Sequence, residues 1–214
     1  MELADLVHAG LVSRRASESR ESGATIQATR MTPGDSFPAR ELVAVSGERI
    51  RVPDPKQLVH LQLRRFAGCP ICHLHLRSFV RQKDEVAAAG IREVIVFHSP
   101  ASELAPHVSD FPFALIADPD RRLYAELGVE SSLRALLDPS AWLPVLRAVA
   151  LGTLAILRGQ ARPPAARPHG GRLGLPADFL IAPGGEGRVL ACKYGEHADD
   201  QWSVDEVLEH ARAR

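Results

Sequence analysis

The chain has 214 residues, a length that fits one domain with a sizeable core. Its 26 lysines and arginines balance 26 aspartates and glutamates, and because no long basic run appears, we expect no nucleic-acid partner. An apolar content of 45% is that of an ordinary globular protein, and 3 cysteines are too few for a disulfide scaffold.

Residues 1–30 are predicted to form a short helical and flexible extension ahead of a domain over 31–214. The first residues are acidic and lack the apolar stretch of a secretory signal. Within the apolar stretch Ala141–Leu157, the longest uncharged piece is Ala148–Leu157, which is too short to span a bilayer. We therefore expect a cytoplasmic protein with no stable membrane insertion.

Hydrophobic periodicity and turn residues predict strands that alternate with helices along the domain. The predicted strands are Glu41–Val45, Glu48–Val52, Val59–Phe66, Ile91–His98, Phe113–Ala117, Ala177–Ala182 and Arg188–Lys193. The predicted helices are about 70–89, 102–108, 120–127 and 203–214, the last with a capping box formed by Ser203 and Glu206. This order predicts an α/β fold with a parallel core.

The segment 131–172 interrupts the alternation and is predicted to be a helical insertion. It holds an apolar helix around Trp142–Leu157, followed by residues rich in Pro, Gly and Arg. Its length and apolarity fit a lid, a dimer contact, a membrane-surface helix or a helix packed on the domain's own flank. The sequence therefore allows a homodimer but does not choose it over the other three interpretations.

The motif Cys69-Pro70-Ile71-Cys72 directly follows the predicted strand Val59–Phe66. A cysteine at a helix N-terminus is favoured as thiolate by the helix dipole, and proline suits the first helical turn. The second thiol lies three residues on, close enough to form a disulfide with the first. Cys69 and Cys72 are therefore the predicted catalytic dithiol.

His73 extends the motif to Cys-x-x-Cys-His, which is also the attachment signature of c-type haem. Haem is disfavoured because no export signal is visible and the methionines are Met1 and Met31 alone. Zinc is disfavoured because structural zinc sites usually pair two such motifs. We expect no metal and no organic cofactor. His73 or His75 as an imidazolium would lower the thiol pKa values; the alternative is a polar surface role.

Three further residues allow two interpretations each. Cys192, in the last predicted strand, is a second resolving thiol or a small buried hydrophobe, and the second is favoured. Arg64 and Arg65 end the strand before the motif and are candidates to hold a carboxylate-bearing substrate, although two arginines at a strand end are usually solvated. Of the two we select Arg65 as a substrate-binding candidate.

The layout resembles the thioredoxin-like fold and, within it, the peroxiredoxin-like (AhpC/TSA-type) family, over about 32–214 apart from the insertion. Three segments carry the resemblance: the entry Gly34–Pro38, the turn Asp118–Asp120 with Leu123–Val129, and Pro176 before a strand and a glycine turn. In that superfamily the equivalent proline is usually cis, so the resemblance implies that Pro176 presents backbone polar groups to a bound substrate.

The resemblance also implies a central mixed sheet flanked by helices, with an N-terminal β-hairpin. It implies a thiol-dependent antioxidant oxidoreductase with a redox-active disulfide, which reduces a peroxide or disulfide substrate and is itself reduced by a thioredoxin-like dithiol. The alternatives are a protein-disulfide reductase without peroxidase activity and a non-enzymatic redox-responsive binding module.

The chain departs from the family at the motif itself. Typical members carry P-x-x-x-T-x-x-C, and aligning Cys72 with their peroxide-reacting cysteine puts Cys69 on the threonine and Arg65 on the proline. By analogy with thioredoxin Cys69 attacks and Cys72 resolves; by analogy with peroxiredoxins Cys72 reacts first. The sequence leaves this order open.

Overall fold

The computed structural model describes residues 30–129, 146–147, 149–151, 153–154, 157–158, 167–185 and 187–213. The predicted extension 1–30 lies outside these residues apart from Arg30, and so do residues 131–145 of the predicted insertion. The division of the chain into extension, domain and insertion stays a prediction.

The strands form a hairpin and a separate mixed sheet. In the hairpin, β1 (Arg40–Val43) pairs antiparallel with β2 (Arg49–Val52). The sheet consists of β3 (Leu58–Arg64), β4 (Ile91–Phe97), β5 (Ala114–Ala117), β6 (Ala177–Ile181) and β7 (Val189–Tyr194). Its order is β5-β4-β3-β6-β7, with β3, β4 and β5 parallel and the two other pairings antiparallel. This arrangement confirms the predicted thioredoxin-like α/β fold with an N-terminal hairpin.

The helices are α1 (Pro70–Arg81), α2 (Lys83–Ala88), α3 (Ala101–Leu104), α4 (Arg122–Glu126) and α5 (Val204–Arg212), with a 3₁₀ segment at Ala105–Asp110. The single helix predicted over 70–89 is divided, because Gln82 leaves the helical range at φ −108° and ψ 18°. The helix predicted over 102–108 tightens into the 3₁₀ segment, where Pro106 lacks the N–H that an α-helix needs. The predicted capping box of Ser203 and Glu206 is present.

The two faces of the sheet are packed differently, since successive side chains of a strand point to opposite sides. On one face Val59, Leu61 and Leu63 pack with residues of the hairpin and of α4. The other face is covered by α1, α2 and α5, where Leu58 and Leu180 pack with residues of those helices. The cysteine motif belongs to this second, helix-covered face.

The turn between β3 and α1 positions the motif at the carboxyl ends of the parallel strands. The Arg65 carbonyl accepts a hydrogen bond from His98 N at 3.1 Å, and Ala67 N donates to Ser99 Oγ at 3.0 Å. Gly68 then takes a left-handed conformation, with φ 74°, that favours glycine. The chain is thereby held to the end of β4 just before it enters α1.

Candidate active site

The dithiol lies at the first turn of α1. Cys69 is the N-cap residue and Pro70 the first helical residue. Cys69 N donates to the Phe66 carbonyl at 3.1 Å, and the Cys69 carbonyl accepts from His73 N at 2.9 Å. Cys69 is 2% exposed and Cys72 1%, and neither is in a disulfide. The helix N-terminus predicted for the motif is therefore present, with both thiols buried beneath the surface.

The two thiols have opposite acidities. Burial alone would raise the pKa of Cys69, but a hydrogen bond from Cys72, the charge of Arg65 and the N–H groups of Cys72 and Ile71 together lower it to about 6. Burial and the neighbouring Cys69 thiolate raise the pKa of Cys72 well above its ordinary value. At neutral pH Cys69 is therefore mainly thiolate and Cys72 thiol.

A narrow crevice reaches Cys69. It is lined by Ala67, Gly68, Cys69, His73, Leu76, Phe97, Leu104, His107 and Phe111. Its free space is about 10 Å³, close to what one water molecule requires. Most of these side chains are apolar, so the crevice admits a small uncharged molecule more readily than a bulky or charged one.

Arg65 is buried beside the thiolate, which corrects the expectation that the arginines at this strand end are solvated. Its Nη1 lies 3.9 Å from Cys69 Sγ, and its exposed fraction is 3%. Its Nη2 donates to the backbone carbonyl of Arg172, which ties the guanidinium to the segment that precedes β6. Arg65 thus stabilises negative charge on Cys69, and its predicted contact with substrate stays a prediction.

The two histidines of α1 are neutral. Burial and the nearby Arg77 and His107 lower the pKa of His73 to about 4, and its ring packs edge-on against Phe111 at 4.8 Å. Burial and the neighbouring Arg64 lower the pKa of His75 to about 3. Neither ring is an imidazolium at neutral pH, so the hypothesis that one of them acidifies the thiols is wrong.

Pro176 stands immediately before β6, as predicted, but its peptide bond is not cis. The cis bond recorded in the described part of the chain is Val52–Pro53. The Pro176 carbonyl accepts a hydrogen bond from Gly195 N at 2.9 Å, which extends the pairing of β6 with β7. That carbonyl is therefore occupied within the sheet, and a substrate-binding role for Pro176 stays a prediction.

Cys192 lies on the other face of the sheet. It packs with the cluster formed by the hairpin and α4, and its thiol donates to the Met31 carbonyl at 3.2 Å. Burial raises the pKa of this thiol, with the carboxylate of Asp35 adding to the effect. These contacts agree with the interpretation that the sequence favoured, in which Cys192 packs as a small side chain and is not a second resolving thiol.

We expect Cys192→Ser to keep at least about half of the wild-type turnover, because the sheet separates this thiol from α1 and serine preserves its hydrogen bond. Peroxide consumption with a dithiol reductant measures the effect. A variant that is oxidised once and cannot be recycled would instead identify Cys192 as the resolving thiol.

A buried polar network lies between the sheet and α1, and the sequence analysis did not single it out. Its members are His60, Gln62, Arg64, Glu93 and Asp178, none more than 6% exposed. Arg64 Nη2 donates to Asp178 Oδ1 at 2.6 Å and to Gln62 Oε1 at 2.5 Å. His60 lies 2.8 Å from Glu93 Oε2 through Nδ1 and 3.2 Å from Asp178 Oδ1 through Nε2. Arg64 is thus committed to Asp178 and is not a substrate ligand.

The charges within this network compensate one another. Burial alone would lower the pKa of His60, but Glu93 and Asp178 raise it to about 9. Burial alone would raise the pKa of Asp178, but Arg64 and His60 hold it below its usual range. Asp178 Oδ2 also accepts from Trp202 N at 3.3 Å, just before α5. The network therefore joins three strands to the start of α5.

His98 is a second buried polar side chain that the sequence analysis did not identify. It is fully buried, and neither ring nitrogen has a hydrogen-bond partner among the described residues. Burial and the nearby Arg121 lower its pKa to about 4. A Cβ at Gly174 would lie 2.8 Å from its Nε2, so only glycine fits there. The segment before β6 thus closes tightly over His98, next to Arg65.

Two kinds of feature are absent from the described residues. Within them no group of three or more His, Cys, Asp or Glu side chains is arranged to hold a metal ion. None of the helices built from them has the length and apolarity to cross a membrane.

Comparison with known proteins identifies a family. The model of the family described as AhpC/TSA antioxidant enzyme matches residues 78–197, more than half of the chain. The match begins after Cys69 and Cys72, so it depends on the part of the fold from α1 to β7 and not on the motif. A search of curated proteins finds no match.

Solved structures similar to this chain include a peroxidoxin, a putative thiol:disulfide interchange protein and a peroxiredoxin-like protein. Peroxidoxin BcpB from Mycobacterium tuberculosis is 20% identical, with a TM-score of 0.60, over 86% of this chain and 98% of that one. A putative thiol:disulfide interchange protein DsbE from Chlorobium tepidum is 16% identical, with a TM-score of 0.53, over 86% and 99%. A peroxiredoxin-like protein from Aquifex aeolicus is 13% identical, with a TM-score of 0.58, over 87% and 90%. At these identities the likeness shows the fold.

Proposed function

Since the chain belongs to the AhpC/TSA antioxidant enzyme family, a family of thiol-dependent oxidoreductases, we propose that it reduces a small peroxide, with Cys69 attacking and Cys72 resolving. The observation that carries the proposal is the division of acidity within the dithiol, where Cys69 has its pKa lowered to about 6 and Cys72 has its pKa raised. A nucleophile must be thiolate at working pH, and only Cys69 meets that condition.

The reaction takes place in two steps on the enzyme. The Cys69 thiolate attacks one peroxide oxygen, the O–O bond breaks, and the leaving oxygen takes a proton to depart as alcohol or water, which leaves Cys69 as sulfenic acid. The sulfur of Cys72 then attacks the Cys69 sulfur; hydroxide leaves and takes up the Cys72 proton as water. The peroxide has gained two electrons and the dithiol has become a disulfide. A thioredoxin-like dithiol restores both thiols by exchange.

The crevice supports a small substrate over a protein disulfide. Its free space of about 10 Å³ is on the scale of one water molecule, and Cys69, one of its lining residues, is only 2% exposed, so the site favours a substrate of a few atoms. Attack on a protein disulfide requires the sulfur to reach a second protein, and so requires the residues around the crevice to move apart.

Paired assays distinguish peroxide reduction from disulfide reduction. We expect the reduced protein to lose two thiols with one equivalent of hydrogen peroxide far faster than it exchanges with an equal concentration of insulin disulfides. Rapid exchange with insulin, while both thiols survive the peroxide, would identify a protein-disulfide reductase. A change in partner binding on oxidation without turnover of either substrate would identify the non-enzymatic binding module.

Arg65→Met is expected to raise the pKa of Cys69 by about one unit, because an opposite charge next to an acid lowers its pKa by roughly that much or more. At pH 6 the thiolate fraction then falls several-fold, and above pH 9 the variant and the wild type converge. Thiolate absorbance near 240 nm, followed against pH, measures the shift.

The matched control for this prediction is Arg77→Met, which replaces an exposed arginine of α1. It should titrate like the wild type, and Arg65→Lys should restore part of the shift because it keeps the charge. An unchanged midpoint in Arg65→Met would show that the guanidinium does not set the acidity of Cys69.

We further propose that the protein works in a reducing compartment, the cytoplasm. A dithiol that must be reduced after every turnover needs a steady supply of reductant, which the cytoplasm provides. Cell fractionation with rapid thiol alkylation tests this, and recovery of the protein only in an oxidising compartment would contradict it.

A further inference from the structure

Two histidines line the crevice that reaches Cys69. His73 belongs to α1 and His107 to the 3₁₀ segment, and the centres of their rings lie 5.9 Å apart. The free space is close to that of one water molecule, so a molecule inside contacts the side chains around it. Apart from Cys69, these two are the lining side chains that can transfer a proton. The peroxide reaction needs such a group, because the oxygen that leaves must take up a proton.

The two histidines have different surroundings. The ring of His73 packs edge-on against Phe111 at 4.8 Å, and burial, Arg77 and His107 lower its pKa to about 4. His73 is therefore neutral, and a neutral imidazole is a poor acid. His107 instead lies 3.4 Å from Asp110 Oδ2 through Nδ1. A carboxylate next to an imidazole favours the imidazolium form, so His107 is the ring of this pair that is suited to give up a proton.

The 3₁₀ segment Ala105–Asp110 fixes which nitrogen of His107 is available. Side chains at positions i and i+3 of a 3₁₀ helix lie directly above one another, which places Asp110 against His107. The carboxylate is directed to Nδ1, while Nε2 has no hydrogen-bond partner among the described residues. The side chain of His107 is 14% exposed, so it can also exchange protons with water. Nε2 is thus the nitrogen that a molecule in the crevice can reach.

Arg65, the cation beside Cys69, is not an alternative proton donor. An arginine side chain keeps its protons in proteins, and Nη2 of Arg65 is held by the backbone carbonyl of Arg172. Arg65 therefore stabilises the thiolate that attacks, and a different side chain must supply the proton to the oxygen that leaves.

We propose that His107 is a catalytic residue that protonates the leaving oxygen of the peroxide, with Asp110 as its positioning residue. The proposal rests on the proposed function. The Cys69 thiolate bonds to the terminal peroxide oxygen, the O–O bond breaks with its electron pair on the other oxygen, and the Nε2 proton of His107 passes to that oxygen. His107 is left as neutral imidazole. It regains a proton when the Cys69 thiol, restored by the dithiol reductant, ionises again, so no proton is lost over the cycle.

Two oxidants with different leaving groups test the proposal. Hydrogen peroxide must expel hydroxide, a strong base that needs a proton, whereas peracetic acid expels acetate, a stable anion that needs none. The measurement is the rate of the first oxidation of the reduced full chain by each oxidant, followed by stopped flow. The variant is His107→Asn, which stays polar but has no proton to transfer. The matched control is His210→Asn, since His210 is a half-buried histidine of α5 and does not line the crevice.

We expect His107→Asn to react with hydrogen peroxide about a hundredfold more slowly than the wild type, and with peracetic acid at a rate within about twofold, because general acid catalysis contributes at least about a hundredfold only where a proton must be transferred. Asp110→Asn should show a smaller loss with hydrogen peroxide and, again, none with peracetic acid. His210→Asn should match the wild type with both oxidants. An undiminished reaction of His107→Asn with peracetic acid also shows that the crevice and the Cys69 thiolate are intact.

Two results would overturn the role of His107 alone. They are an unchanged rate of His107→Asn with hydrogen peroxide, and an equal loss with both oxidants, which would indicate damage to the crevice. A wild type that reacts with neither oxidant would contradict the proposed peroxide reduction itself, and the role of His107 with it.

Discussion

Cys69→Ser is expected to abolish peroxide turnover, with a loss of roughly a thousandfold or more, because the hydroxyl of serine is not ionised at neutral pH and cannot replace the thiolate. Peroxide consumption coupled to a dithiol reductant measures the loss. Serine is close to cysteine in size, so the variant should unfold at nearly the wild-type temperature, and the loss can then be assigned to chemistry.

Cys72→Ser distinguishes the resolving step from the attacking step. This variant should react once with peroxide, gain one oxygen in intact mass, and then stop as a sulfenic acid that a dione reagent traps. The order of the two cysteines is reversed if the trapped sulfenic acid forms in Cys69→Ser instead. Full turnover in either variant would contradict the dithiol mechanism altogether.

Asp178→Ala is expected to destabilise the fold by about 3–5 kcal/mol, the usual effect of removing one partner from a buried ion pair. Asp178 accepts from Arg64 at 2.6 Å and lies 3.2 Å from His60, and all three side chains are fully buried. Without the carboxylate the buried Arg64 loses its counter-charge, while His60 retains only Glu93. Urea unfolding of both proteins measures the difference in the free energy of unfolding.

The matched control is Glu41→Ala, which breaks the surface pair between Glu41 and Arg49, 2.6 Å apart. Exposed pairs contribute no more than about 1 kcal/mol, so this variant should unfold close to the wild type. If Asp178→Ala were equally mild, the ion pairs of Asp178 would not contribute to the stability of the fold.

The sequence was sufficient for features that depend on neighbouring residues. The Cys-x-x-Cys motif after a strand, the capping box of Ser203 and Glu206, and the alternation of strands and helices are all local patterns, and each is present in the structure. The split of the first long helix at Gln82 was missed because neither glycine nor proline marks it.

Features that depend on strand register were not predicted. His60 lies opposite Glu93, and Gln62 opposite Asp178, only after β3 has paired with β4 and β6. The available signal was the polar residue at every second position of β3, His60, Gln62 and Arg64, within a strand interpreted as apolar. The acidity of Cys69 likewise depends on the turn that returns Arg65 to the thiol, which spacing alone does not specify.

Alkylation with limiting iodoacetamide, followed by peptide mass spectrometry, tests most directly whether Cys69 is the acidic thiol of the pair. Measured against pH, the modification of Cys69 should rise through a midpoint near 6, because its pKa is lowered to about 6. Cys72 should stay unmodified until far higher pH, because its pKa is raised. Modification of Cys72 before Cys69 in neutral buffer would contradict the account.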